Sequence, residues 1–338
     1  MNSASFQNIA AEFPRLRVAV VGDFCLDRYL EIDPSRTETS IETGLPVHNV
    51  TRVRAQPGAA GTILSTLVAL GVGQLHLVGF CGDDGEGYEL RRALSALPGV
   101  RLENFVSAAD RRTFTYCKPL VVTQNEIPQE LNRLDSKNWT PTPSHLAERM
   151  AAAVASLASV VDAMIVLDQV DLADTGLVTR EVLEALSEVP QSVPVIADSR
   201  RGLSGYPPVV YKMNAAELAT LTAQQELQSI DDIGAAAADL ANRNHREVVI
   251  TMAERGLIGA SPDGRVEYVQ ALPVRGPIDV VGAGDAVTAS ITAALASGAA
   301  LREALQLAAA AASVVIHKLG MTGAASVAEI SQALTSAE

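Results

Sequence analysis

The 338-residue sequence has few aromatic and few basic side chains. Phe, Tyr and Trp together make up 4% of it, with one Trp, and 26 Lys and Arg stand against 39 Asp and Glu. A net charge of −13 without any run of Lys or Arg excludes a nucleic-acid-binding surface, because phosphate neutralisation needs clustered cations. Any anionic ligand must therefore be held locally. Charged residues reach only 19% while hydrophobic ones reach 48%, which excludes disorder as a main theme and leaves material for a large core. The three cysteines, Cys25, Cys81 and Cys117, show no C-x-x-C spacing, so neither a disulfide framework nor a zinc site is implied and buried thiols are expected. The opening stretch MNSASFQNIAAEFPRLR has no basic region followed by an apolar run, which excludes a secretory signal and makes the cytoplasm the expected location. The most apolar stretch, from Met150 to Leu167, is interrupted by Asp162 and by several Ser and Ala. It reads as a helix ending near Val160 followed by a buried strand, not as a membrane span.

Short β-branched runs alternate with Ala/Leu-rich segments of helical period: RVAVVG, GTILSTLVALG, QLHLVGF, YELRRALSAL, and later AERMAAAVASLASV, DAMIVL, TREVLEALSEV, VPVIAD, VVYKMN, AAELATL and REVVITM. This rhythm predicts a parallel sheet covered by helices, with strands apolar on both faces. Two helical stretches, DAVTASITAALASG and LREALQLAAAAASVVIHKLG, close the chain, each stopped by Gly at 298 and 320. Two segments, at about 28–56 and 105–135, lose the helical period and become Thr/Val-rich. They predict strands of a small second sheet inserted into a single domain spanning 1–338, and such a flap is expected to act as a lid.

The most specific string is Asp279-Val280-Val281-Gly282-Ala283-Gly284-Asp285, which leads directly into a helical stretch. Small residues at 282–284 expose backbone N–H groups at a helix N-terminus, where orphan donors and the helix dipole favour a phosphate or a developing oxyanion. An acid placed there can also serve as a base. The bland alternative, an N-cap beside a tight turn, loses ground because a second acid stands six residues upstream and two long helices are at hand.

This string resembles the C-terminal signature of the PfkB-type carbohydrate kinases of the ribokinase superfamily. The resemblance implies a ribokinase-like three-layer α/β fold, with a mostly parallel central sheet and a small inserted β-sheet lid. It also implies that Asp285 is the catalytic base and that Gly282, Ala283 and Gly284 form an anion hole. VAVVGDFCLDRYLEI is similar to the family's first strand and puts the substrate-binding acid on Asp27. KMNAAEL carries the N-x-x-E element as Asn214 and Glu217, which in relatives organise Mg²⁺ and the nucleotide phosphates, Glu217 through water. TMAERGLIG is similar to the nucleotide-binding strand and turn, with Thr251, Glu254 and Gly256, and a monovalent cation such as K⁺ is implied beside Asp279 and Val281. The N-terminal signature G-G-x-x-N is met only in part by Pro57-Gly58-Ala59-Ala60-Gly61. Gly58 and Ala59 would approach the sugar, while Gly61 stands where the Asn is expected and a polar anchor is missing. Among branches, GDFCLDRY, the RLD at Arg133 to Asp135 and DVVGAGDAV are most similar to the heptose-phosphate kinases. In relatives the small sheet often pairs between two chains, so a homodimer through the lid is implied.

The resulting expectation is transfer of a phosphoryl group from ATP, with Mg²⁺ and possible K⁺ dependence, to a hydroxyl of a sugar or sugar phosphate. Arg111, Arg112 and Lys118 lie in a stretch without acids, residues 111–125, and make Arg112 a candidate grip for a phosphate on the acceptor. A solvated basic strand edge accounts for the same residues equally well. Two alternatives stay open: a sugar or nucleotide sensor that keeps the fold without turnover, and a kinase for a nucleoside or vitamin-type alcohol. Other classes fall on spacing. There is no G-x-x-x-x-G-K-[ST], no G-x-S-x-G, and no histidine pair at ligand spacing among the five. Gly71-Val72-Gly73 follows a helix and precedes a strand, so it reads as a helix stop. The cluster Asp83 to Gly87 lacks an alternate-ligand pattern and reads as a solvated helix start. No H-x-G-H nucleotidyltransferase motif occurs, so a bisphosphate product is expected to leave as such.

Overall fold

The computed structural model describes residues 1–123, 128–224, 227–319 and 323–336. The chain opens with α1 (Ser3–Ala10) and enters β1 (Arg17–Gly22), which passes through Asp23 into β2 (Phe24–Ile32). A hairpin of β3 (Glu38–Thr39) and β4 (Pro46–Val47) precedes β5 (Val50–Ala59), α2 (Ala60–Ala69), β6 (Gln74–Gly82), α3 (Gly85–Ser95) and β7 (Val100–Ala108). Then come β8 (Thr115–Val121), β9 (Gln129–Glu130), β10 (Leu134–Ser136), α4 (Ser144–Leu157), β11 (Ala163–Asp168), α5 (Arg180–Ser187), β12 (Val195–Ser199) and β13 (Val210–Asn214). The last third holds α6 (Ala215–Leu221), α7 (Ile230–Asn244), β14 (Val248–Thr251), β15 (Leu257–Ala260), β16 (Val266–Val269), α8 (Ala283–Ala296), α9 (Leu301–Ile316) and α10 (Val327–Thr335).

Nine strands form the large sheet in the order β16-β15-β14-β13-β12-β11-β1-β6-β7. The seven from β14 to β7 run parallel, and β15 and β16 add an antiparallel edge. Alternation along β1 shows why the sheet needs helices on both faces. Val18 and Val20 pack with Ile63, Leu67, Ala289 and Ala293 on one side, whereas Ala19 and Val21 join Met150, Val154, Val182 and Ile233 on the other. All-buried strands of this kind are stable only in a three-layer arrangement. The small sheet, in the order β10-β8-β2-β5 with β9 beside β8, is mixed: β2 pairs β5 antiparallel and β8 parallel.

Several boundaries differ from the sequence pattern. The small sheet begins at Phe24 because β2 continues β1 out of the large sheet, while Phe105 to Ala108 belong to the large sheet as the end of β7. Residues 124–127 of that second stretch, and the helix-stopping Gly320, lie outside the described residues. Gly298, with φ +79, does end α8. Cys25 and Cys81 are buried as expected, but Cys117 is partly exposed on β8. Asp84 is more than a solvated helix start. Its carboxylate caps Gly87 N–H at 2.8 Å and accepts Thr113 N–H at 3.0 Å, tying α3 to the turn before β8. Among the described residues no helix is long and apolar enough to cross a membrane.

Candidate active site

Strand order reverses at β1, whose neighbours β6 and β11 leave in opposite directions, and ligands of doubly wound sheets bind at the carboxyl ends of the strands beside such a reversal. Acidic residues accumulate there. Asp168 ends β11, Asp198 lies next to the end of β12, and Asp23 follows β1. The small sheet rises from the same edge, since β2 is the direct continuation of β1.

Helix α8 aims its N-terminus at this edge. Gly282 takes φ +84 as its N-cap, a left-handed conformation that favours glycine. The amide of Ala283 is used by Val280 O at 3.2 Å, whereas those of Gly282, Gly284 and Asp285 have no acceptor among the described residues. Three amides are thus left free where the anion hole is expected, while Ala283 shapes the turn. Asp285, in the first turn, is half-buried, and its carboxyl is pushed up to about 7 by burial and then by Asp198, against the pull of Lys212. A carboxyl poised near neutrality is suited to taking a proton.

Asp27 is brought to the same place from β2, close enough to raise the Asp285 carboxyl further. It is 6% exposed and pairs with Lys118 Nζ at 3.2 Å. Burial raises its own carboxyl and Lys118 opposes this. Gly58 on β5 is needed here, since a Cβ would stand 2.7 Å from Asp27 Oδ2 and 2.8 Å from Cys25 Sγ.

The next residues depart from the expected roles. Ala59 adopts φ +53, ψ −118, a conformation that normally calls for glycine. Thr62, one residue after Gly61, is buried in the first turn of α2. Gly61 faces Pro57, whose Cβ blocks any side chain there. Packing against Pro57 therefore requires a glycine at this position.

Asn214 and Glu217 form a reciprocal capping box at the start of α6: Asn214 N–H donates to Glu217 Oε2 at 2.7 Å and Glu217 N–H to Asn214 Oδ1 at 2.9 Å. Thr251 lies beside Asn214 in the β13–β14 register, Glu254 is exposed in the following turn, and Gly256 holds φ +99 where a Cβ would strike Val269 O. Asp279 Oδ1 accepts Val281 N–H at 3.0 Å, which fixes the loop before α8.

Arg112 makes no contact with Asp27 or Asp285 among the described residues. It is largely exposed, 4.0 Å from Asp84, and lines a cavity with Asp23, Phe80, Phe114, Lys137 and Trp139 that adjoins the end of β1. Its neighbour Arg111 is buried and structural, donating to the carbonyls of Thr140, Pro141 and Thr175. The cation that reaches Asp27 is Lys118.

Sequence reasoning missed Asp198, Lys212 and Thr288. Lys212 Nζ donates to Asp198 Oδ2 at 2.6 Å, and Thr288 Oγ1, one turn along α8 from Gly284, has that same oxygen at 3.2 Å and Gly284 O at 3.1 Å as acceptors for its one proton. The available signal was a single Lys inside the apolar strand VVYKMN. Asp23 was also missed; it accepts the amides of Gln169 and Leu177 at 2.8 and 2.7 Å and fixes the loop after β11.

A doubly wound sheet, a small sheet rising from its ligand edge and an acid at an amide-bearing helix start define a sugar-kinase type of α/β protein. The chain belongs to the pfkB family of carbohydrate kinases, whose model matches residues 16–327. It is 33% identical over 331 residues to the bifunctional protein HldE of Azorhizobium caulinodans, covering 96% of this chain and 65% of that one. The HldE of Pseudomonas syringae is 32% identical over 339 residues, covering 95% and 64%. The chain thus spans just under two thirds of these relatives. In fold it is similar to Escherichia coli phosphofructokinase-2 in complex with potassium, with a TM-score of 0.71, 20% identity and coverage of 95% and 99%. It is also similar to Arabidopsis thaliana ribokinase complexed with ribose and ATP, with a TM-score of 0.65, 19% identity and coverage of 94% and 98%.

Proposed function

We propose that this carbohydrate kinase moves the γ-phosphoryl group of ATP to a hydroxyl of a sugar or sugar phosphate, with Asp285 as the general base. The observation that carries the reading is the position of Asp285, an acid raised to about 7 beside three unpaired amides. The acceptor oxygen forms a bond to the γ-phosphorus as its proton passes to Asp285, and the bond from phosphorus to the bridging oxygen breaks, releasing ADP. Gly282, Gly284 and Asp285 amides hold the charge that spreads over the phosphoryl oxygens. Asp27, whose carboxyl burial raises and Lys118 draws back down, orients the acceptor hydroxyls, with Gly58 and Ala59 allowing close approach.

Mg²⁺, when bound, neutralises the β- and γ-phosphate oxygens. Among the described residues no three acidic, histidine or cysteine side chains converge on one point, which fits an ion held by phosphates and water with Glu217 as an outer partner. One Glu217 oxygen is committed to the capping box and the other is free for that purpose. The Asp279 to Gly282 loop, fixed by its own hydrogen bond, suits a monovalent cation near Asp279 and the Val281 carbonyl, and the similar phosphofructokinase-2 structure is a potassium complex. Thr251, Glu254 and Gly256 border the nucleotide. Leu45, Val50, Val53 and Leu134 are exposed on and beside the small sheet, an apolar surface that supports pairing of two chains through their lids. The HldE relatives and the RLD at Arg133 to Asp135 favour the heptose-phosphate branch, acting in the cytoplasm where ATP is supplied.

The test is an ADP-release screen over free sugars, sugar phosphates and nucleosides. Turnover restricted to sugars or their phosphates is expected. No turnover with any sugar, or a preference for nucleosides, would overturn the reading.

A further inference from the structure

Lys212 is a charged residue in the middle of a strand whose neighbours Val210, Tyr211 and Met213 are buried. Burying an ammonium without a partner is prohibitive, and pairing it with one carboxylate satisfies only part of its capacity. Its Nζ donates to Asp198 Oδ2 at 2.6 Å. An ammonium carries three donors, and no second acceptor for Nζ occurs among the described residues. The group also lies against the first turn of α8. A Cβ built on Gly284 would stand 3.2 Å from Nζ, so the ammonium occupies the space just beside the unpaired Gly284 amide. Thr288 Oγ1 stands 3.2 Å from the same Asp198 oxygen and 3.1 Å from Gly284 O, so it packs the carboxylate against the first turn of α8 beside the ammonium. The remaining charged groups that act on Asp285 are Asp27 and Arg200.

Amides alone are neutral donors, and phosphoryl transfer depends on full positive charge at the transferring group. We propose that Lys212 is a catalytic cation of this enzyme: its two uncommitted protons contact the oxygens of the phosphoryl group in flight, while Asp198 and Thr288 act as positioning residues. The inference rests on the kinase reading above and adds to it the charged half of the anion hole. A side chain at Gly284 would press on the ammonium and shift it by a few tenths of an ångström.

The experiment uses Lys212→Met, which keeps the length of the side chain without its charge, together with the Lys212→Met/Asp198→Asn double variant, which leaves no unpaired charge. Binding of ATP and of ADP with aluminium fluoride, a mimic of the transferring phosphoryl, is measured by titration calorimetry in the presence of the best sugar, alongside kcat and Tm. Expected results are a ~10²–10³-fold fall in kcat and a matching loss of affinity for the fluoride complex in both variants, with ATP affinity changed by no more than about threefold. The acid limb of the kcat/KM profile should move to higher pH in Lys212→Met, because a cation beside Asp285 has been removed. Recovery of kcat or of fluoride-complex affinity in the double variant would show that Lys212 only neutralises Asp198, and the proposal would fail. A wild type inactive on every sugar would instead refute the kinase reading itself.

Discussion

Asp27 and Lys118 form a buried ion pair, Nζ to Oδ1 at 3.2 Å, that joins β2 of the small sheet to its parallel neighbour β8 where Asp27 comes close to Asp285. The pair ties the small sheet to the candidate site: the lysine that draws the Asp27 carboxyl back down against its burial belongs to that same sheet. Its neighbour Tyr29 packs against the same ammonium, 4.9 Å from the ring centre.

Lys118→Met should therefore act on the acceptor and not on the nucleotide. Without its partner Asp27 stays buried, its carboxyl rises further, and its grip on sugar hydroxyls weakens. The expected outcome is a ~10–100-fold increase in sugar KM, consistent with loss of a charge-assisted contact of about 1.5–3 kcal/mol, with ATP KM unchanged. Steady-state kinetics with each substrate varied in turn gives the answer; equal rises in both KM values would place Lys118 in a general structural role.

The carboxyls of Asp23 and Asp285 are raised to about 6 and about 7 from an ordinary 3.8. Both bind protons more tightly in the folded chain, so their contribution to stability is fully present below about 4 and is lost as pH rises through about 6 and 7. Asp285→Asn should accordingly raise Tm at pH 8 by roughly 2–4 °C, with a smaller gain at pH 5. Thermal melts at the two pH values check the sign.

Activity runs the other way with pH. If the proton passes to Asp285, kcat/KM should increase through about pH 7 and level off above it. A rate independent of pH between 5 and 8 would contradict a carboxyl base at this position.

Two small residues of β5 and α2 make opposite predictions. Gly61→Asn places a side chain against Pro57 and should destabilise the fold by about 1–3 kcal/mol instead of restoring a sugar anchor. Ala59→Gly relieves a backbone at φ +53 and should stabilise by about 1 kcal/mol. Urea titrations of both variants measure these changes directly.

The α/β class, the helical layers and the Asp285 helix start were legible because each rests on local pattern: apolar runs, helical period and small residues ahead of an acid. What escaped depends on strand order. Asp198 and Lys212 are fourteen positions apart on adjacent parallel strands, and nothing local says that β12 and β13 are neighbours or that α8 covers their ends. Arg112 was favoured over Lys118 for a similar reason, since sequence proximity could not show that only the latter faces Asp27. The conformation of Ala59 was hidden because alanine gives no sign of a positive φ. Asp84 looked solvated because its partner Thr113 is supplied by a distant turn.

The central claim is that Asp285 takes the acceptor's proton at the start of α8. Asp285→Asn keeps the shape of the side chain and removes the base, so the most direct measurement is kcat of this variant with the best sugar, set beside its ATP affinity. The account predicts a fall of ~10²–10⁴-fold or more in kcat, with ATP binding nearly intact. A variant that retained wild-type kcat would contradict it.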